Sequence, residues 1–196
     1  MSRTEPTPGS PLTDEQIHRV TIGAPEVHNG PITLMEYDPR WPEQFAREEA
    51  RIRAALGDRA LQIEHIGSTA VPGLPAKPII DILLVVADSA HEPSYVPALE
   101  AARYVLRIRE PDWQEHRMFK GPDVNINLHV YTAGSPEIDR YLLFRDRLRT
   151  QSADREQYAE TKRVLAQQTW RYVQNYADAK SAVVGEIIAR ARAAQE

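Results

Sequence analysis

The sequence predicts an α/β (α+β) protein: a mixed sheet with flanking helices, followed by a helical segment at the C-terminal end. Short apolar, β-branched runs at 61–66, 79–86, 104–109 and 124–131 read as strands, and helical patterns intervene between some of them. From about residue 137 the pattern is helical to the end, through PEIDRYLLFRDRLRT, DREQYAETKRVLAQQTWRYVQNY and DAKSAVVGEIIARARAA. No internal repeat interrupts this order.

Residues 1–30 are rich in Pro, Ser, Thr and Gly and bury too little apolar surface to offset the entropy of ordering. They are expected to form a mobile tail, with DEQIHRVTI as a short amphipathic piece able to dock. Residues 31–196 then form a single domain. PITLMEY alternates like a strand and is followed by the turn DPRWP. PEQFAREEARIRAALG is a helix, because Pro42 suits a first turn, Phe45, Ile52 and Leu56 recur at helical spacing, and Gly57 suits the position past the end. A second helix is expected around 94–103. HRMFKGP, with Arg117 and Lys120, is expected as a lid or a turn. The strand VNINLHVY places Asn125, Asn127 and His129 on one face and Val124, Ile126, Leu128 and Val130 on the other. Leu165, Trp170, Val173, Tyr176, Val183, Val184, Ile187 and Ile188 read as the core of the helical segment. Trp41 and Trp113 serve either as packing or as stacking surfaces for a base.

Composition narrows the function. With 42% hydrophobic and 27% charged residues and a net charge of −4, nothing points to nucleic acid or a membrane as partner. A small basic site is compatible with that total, since a site works through its local field. The absence of cysteine removes disulfides, thiolate metal sites and cysteine nucleophiles. No apolar signal segment and no membrane-length run is present, so a cytoplasmic protein is the expectation.

The stretch EHIGSTAVPGLPAKPIIDILLVV, residues 64–86, carries the chemistry. Gly67 permits a tight turn, and Ser68 or Thr69 can cap a following helix. The same Gly-Ser at a strand end can instead aim backbone amides at polyphosphate oxygens. Asp81 lies inside an apolar strand, where an unpaired carboxylate is costly, so it is paired with a cation or bound to a metal. On the adjacent strand it would sit where a divalent cation, Mg2+ or Mn2+, bridges it to the phosphates of a nucleoside triphosphate. Lys77, in the preceding loop, is either solvated or a point charge on that polyphosphate. Arg145 and Arg149, four residues apart on one helix face, either grip phosphate or form surface ion pairs. Lys162, one turn beyond Tyr158, could complete a basic wall, and Lys180 is a further candidate.

HIGSTAVPGLPAKPIIDI closely resembles the signature of the GrpB family, whose members occur alone or fused to dephospho-CoA kinase. YDPRWPEQF, NLHVY and FRDRLR followed by a Tyr-x-x-x-Lys helix extend the resemblance over roughly residues 31–195. It implies a nucleotidyltransferase-like fold of the polymerase-beta type, whose motif runs Gly-Ser, a gap of this size, then acid-hydrophobic-acid. Asp81 matches the first acid, while Leu83 occupies the place of the second. The resemblance also makes His129 a site residue and His65 a partner for Asp81 or a metal. Three functions stay open: a metal-assisted nucleotidyltransferase with an unidentified small-molecule acceptor, a non-catalytic nucleotide- or phosphate-binding module assisting a protein partner such as dephospho-CoA kinase, and an ATP-dependent small-molecule ligase.

Overall fold

The structure, a computed structural model, describes residues 11–195. Five strands form one mixed sheet: β1 (Gln62–Ile66), β2 (Ile80–Val86), β3 (Val105–Glu110), β4 (His116–Lys120) and β5 (Ile126–Thr132), in the order β1-β2-β5-β4-β3. β2 and β5 pair in parallel and the other pairs are antiparallel. The central pair therefore consists of the most apolar strands, as full burial requires.

One face of the sheet is covered by α2 (Trp41–Leu56) and α3 (Val96–Ala101). Ile63, Ile80, Ile82, Leu84, Val86, Phe119, Ile126, Leu128 and Val130 meet Trp41, Ile52, Leu56 and Leu99 in the main core. α2 begins with Pro42 in its first turn and ends at Gly57, whose φ of 55° reverses the chain. α4 (Pro136–Thr150) starts from a Ser135 cap and lays Ile138, Tyr141 and Leu142 against Ile66, Leu83, Val85 and Tyr131 on the opposite face. Behind it α5 (Ser152–Ala166) and α7 (Ser181–Ala193) pack around Val71, Leu74, Tyr158, Val183 and Ile187, while α6 (Val173–Asp178) sets Val173 and Tyr176 against Ile32 and Ala166. Asp154 at the start of α5 accepts from Arg147 at 2.5 Å and from Arg190 at 2.9 Å, joining α4, α5 and α7.

Three expectations need correction. PITLMEY is not a strand of the sheet: it runs extended along loops, touching Ala76 through one isolated bridge at Met35, and Ile32 packs on Ala166 and Tyr176 instead. HRMFKGP is not a lid, because its first five residues are β4, paired on both sides. The helix expected over 94–103 is shorter, since Arg103 adopts a φ of 70° and turns the chain into β3. Residues 1–10 of the expected tail lie outside the described residues. Within 11–30, α1 (Asp14–Val20) carries a Thr13 capping box and buries Ile17, while Thr21 bridges to Ile108 of β3. Trp41 is core, 2% exposed, which leaves it no role in stacking on a ligand.

Candidate functional site

Register places the candidate residues. Ile66, Asp81, Asn127 and Lys120 lie side by side across β1, β2, β5 and β4, and so share one face of the sheet. In the next row Leu83, His129 and Met118 are neighbours on that face. Hydrogen bonds run along the first row. The Lys120 ammonium donates to Asn127 Oδ1 at 2.7 Å, and Asn127 Nδ2 donates to Asp81 Oδ1 at 2.8 Å. His129 Nε2 is 3.7 Å from the same carboxylate oxygen.

Gly67 follows β1 with φ 70° and ψ −171°, a conformation essentially confined to glycine. A Cβ there would lie 2.5 Å from Asp81 Oδ2, so the backbone itself closes against the carboxylate. The chain then makes a single 3-10 turn, Ser68–Ala70. Thr69 is buried and committed to structure. Its hydroxyl donates to the Ile79 carbonyl at 3.0 Å and therefore accepts from His65 Nε2, also 3.0 Å away. Ser68 Oγ accepts from the Lys162 ammonium at 3.1 Å. Lys162 also donates to the Pro75 carbonyl and lies over the Tyr158 ring. It is 2% exposed, and burial, reinforced by Lys180 and Arg163, pulls its pKa down to about 6.

Three other lysines face the Asp81 carboxylate. Lys77 and Lys180 lie over the Tyr176 ring, 5.5 and 4.4 Å from its centroid. Burial lowers each to about 8; mutual repulsion adds to this for Lys77, and attraction to Asp81 opposes it in both. Burial also lowers Lys120, again opposed by Asp81. Asp81 itself is pushed up by burial, but the imidazole of His129, the Asn127 amide and Lys77 outweigh this and hold it below the ordinary carboxylate value. The result is one ionised carboxylate among three lysines, with the Lys162 amine, lowered to about 6, at the adjoining turn, in a protein of net negative charge.

His65 and the arginine pair do not join this cluster. His65 is in register with Ile82 and so projects from the opposite face to Asp81, where it stacks on Phe45 at 4.9 Å. Burial lowers its pKa to about 4, with Arg149 and Arg145 adding to the effect and Asp81 opposing it; the ring is neutral and locks the turn through Thr69. Arg145 donates to Glu64 at 2.8 Å and to the His65 carbonyl at 3.1 Å, and Arg149 donates to the Ala70 carbonyl at 2.9 Å. They tie α4 to β1 and the turn, and with Tyr37, Phe45 and His65 they line a separate cavity of about 620 Å³.

The position of the second acid is closed. Leu83 has no exposed surface and packs on Ile66, Val85, Tyr131 and Ile138. Among the described residues no group of three or more His, Cys, Asp and Glu side chains is arranged to hold a metal ion. Asp81 is the carboxylate that could hold one, with Oδ1 engaged by Asn127 and Oδ2 beside Gly67. Such a donor set fits Mg2+, which keeps several waters and needs one or two carboxylates when phosphate oxygens supply the rest.

Sequence reasoning did not find Glu110 and His116. His116 Nδ1 is 2.6 Å from Glu110 Oε2, and its Nε2 is 3.0 Å from His129 Nδ1. Reading HRMFKGP as a lid or a turn hid the pairing of His116 with Glu110, although His116, Met118 and Lys120 alternate as a strand face does.

These features define an α/β fold with a lysine-rich cluster around one carboxylate at a Gly-Ser turn between antiparallel strands. The chain belongs to the GrpB family: the family model described as GrpB protein matches residues 31–190. It is 64% identical over 184 residues to the UPF0157 protein BH1888 of Halalkalibacterium halodurans, covering 94% of each chain. A dephospho-CoA kinase of Mycolicibacterium paratuberculosis is 31% identical over 168 residues, which span 72% of this chain and 41% of that protein. Among solved structures, GrpB from Enterococcus faecalis superposes with a TM-score of 0.72 at 34% identity, covering 84% of this chain and all of that one. No helix among the described residues is long and apolar enough to cross a membrane.

Proposed function

We propose that the protein binds a nucleoside triphosphate at the Gly67–Ser68 turn and, acting in the cytoplasm, transfers its nucleotidyl group to a small-molecule acceptor. The observation that carries this reading is the cluster of Lys77, Lys120 and Lys180 around Asp81, with Lys162 on the Ser68 hydroxyl at the adjoining turn. Three amines brought out of water beside a single carboxylate, with a fourth buried at the turn, are costly by themselves, and a polyphosphate supplies the missing negative charge. Ser68 and Lys162 would meet the phosphates at the turn, and Lys77 and Lys180 would neutralise them from the side. Asp81 would hold Mg2+ or Mn2+ against the phosphate oxygens; when bound, the ion neutralises charge that develops on them.

The acceptor hydroxyl or amine attacks the α-phosphorus, the bond to the bridging oxygen of the β-phosphate breaks, and pyrophosphate leaves. The acceptor proton passes to His129 Nε2, which projects beside Asp81. The lysines stabilise the charge on the leaving pyrophosphate, so catalysis is largely positioning and electrostatics. Pyrophosphate release measured across acceptor candidates and the common nucleoside triphosphates tests the reading. Release that depends on an acceptor and disappears in Asp81→Asn supports it, and an active Asp81→Asn protein overturns it.

The buried Leu83 favours a second reading, a nucleotide-binding module without turnover that assists a partner. The relatives named dephospho-CoA kinase, of which this chain matches only part, suggest the kind of partner. Metal-dependent nucleotide binding with no consumption of nucleotide by any acceptor is its expected signature.

A further inference from the structure

We propose that Glu110 and His116 are positioning residues that hold His129 in the tautomer with a proton on Nδ1, leaving Nε2 bare and directed at the Asp81 site. Two hydrogen bonds in series, one between Glu110 and His116 and one between His116 and His129, fix the proton positions. Glu110 Oε2 lies 2.6 Å from His116 Nδ1, and an ionised carboxylate only accepts, so that nitrogen carries the proton. In a neutral imidazole the other nitrogen, Nε2, is then an acceptor. Its partner at 3.0 Å is His129 Nδ1, which must donate. His129 Nε2 is thereby left with its lone pair exposed.

Two further observations agree. His129 Nε2 is 3.7 Å from Asp81 Oδ1, whereas an N–H donated to a carboxylate closes to about 2.7–2.9 Å. At that separation no direct hydrogen bond joins a bare Nε2 to the carboxylate, and the pull of His129 on Asp81 belongs to its protonated form. His116 is 5% exposed and is stacked on His129 and on Tyr131, with ring centroids 5.2 and 4.8 Å away. Burial lowers its pKa despite Glu110, which keeps the ring neutral as the chain of donors requires.

The tautomer stands independently of any reaction, whereas its use as a base rests on the transferase reading above. With the proton on Nδ1, the proton taken from an acceptor arrives on Nε2, and the resulting imidazolium donates through Nδ1 to His116, which Glu110 stabilises. This is the arrangement of a base oriented by a second group and that by a third. Removing such supporting partners elsewhere costs about 10–100-fold in activity.

Multiple-bond proton–nitrogen NMR on the 15N-labelled full chain, with His129→Gln to identify the resonances, reads the tautomer directly. Wild type is expected to give a protonated Nδ1 and a bare Nε2 at His129. His116→Phe keeps the ring stack but removes the acceptor, and Glu110→Ala acts on a partly exposed residue should the first variant fold poorly. Both should shift His129 toward the Nε2–H form, and where turnover is measurable kcat should fall about 10–100-fold with KM for the nucleotide unchanged. A proton on Nε2 in wild type overturns the proposal, as does a bare Nε2 that survives in both variants. A bare Nε2 in wild type, lost in the variants, in a protein that turns over no substrate supports the proposal and counts against the transferase reading alone.

Discussion

Replacing Lys162 with Met tests the electrostatics of the cluster in the absence of any ligand. The ammonium is 2% exposed, and burial brings its pKa from the ordinary 10.5 to about 6. Between those two values the unfolded chain carries a proton at Lys162 that the folded protein lacks. Stability therefore rises with pH across the window from about 6 to 10.5, because the unfolded state binds the extra proton. For one group the slope reaches at most about 1.4 kcal/mol per pH unit. The Pro75 carbonyl, Ser68 hydroxyl and Tyr158 ring all favour the ammonium and work to reduce it. Methionine fills nearly the same volume without ionising. Urea unfolding of both proteins at pH 6.5, 7.5 and 8.5 should give a difference, wild type minus Lys162→Met, that grows by up to about 2.7 kcal/mol over the range. Parallel pH profiles would refute the claim that Lys162 is held deprotonated, and with it the argument that the site needs an anion to charge it fully.

Gly67→Ala should lower the melting temperature by about 6 °C, from strain at positive φ of about 2 kcal/mol and a Cβ forced onto the Asp81 carboxylate; calorimetry checks this. An unchanged melting temperature would mean that the turn does not close on Asp81. At Asp154, burial raises the carboxyl pKa, but Arg147 and Arg190 outweigh it and leave the group below its ordinary value. Its stabilisation is therefore present above that ordinary value and is lost as pH falls through the folded one. Asp154→Asn should destabilise at pH 7 and flatten the acid limb of the stability curve, which thermal unfolding from pH 3 to pH 7 measures.

Much of the sheet was legible because its strands are strongly patterned. The apolar run over β2, the alternation of β5 and the helix α2, bounded by Pro42 and Gly57, each follow from local sequence. β4 was not legible, since HRMFK mixes large polar groups into a strand whose polar face lines the site. PITLMEY was misread for the converse reason: its alternation reflects packing of Ile32 on helices, with no neighbouring strand to complete a ladder. Within the site, Gly67, Ser68, Asp81, Lys77, Lys162 and His129 lie on one side of the sheet or its turn. His65 and the two arginines lie elsewhere. Strand parity separates His65 from Asp81: His65 pairs with Ile82 and Asp81 with Ile66, a register that sequence alone does not fix. The arginines were indistinguishable from a phosphate clamp by spacing, and only their backbone carbonyl partners define them as fasteners of the turn.

The central claim is a metal-dependent nucleotide site built on Asp81 and the Gly67–Ser68 turn. Thermal unfolding with each nucleoside triphosphate, with and without Mg2+ or Mn2+, tests it most directly when wild type is compared with Asp81→Ala. A ligand at 100 times its dissociation constant adds about 2.7 kcal/mol, a readily measured shift. A metal-dependent rise for at least one nucleotide is expected in wild type, and its loss in Asp81→Ala. No rise with any nucleotide, or an equal rise in the mutant, would contradict it.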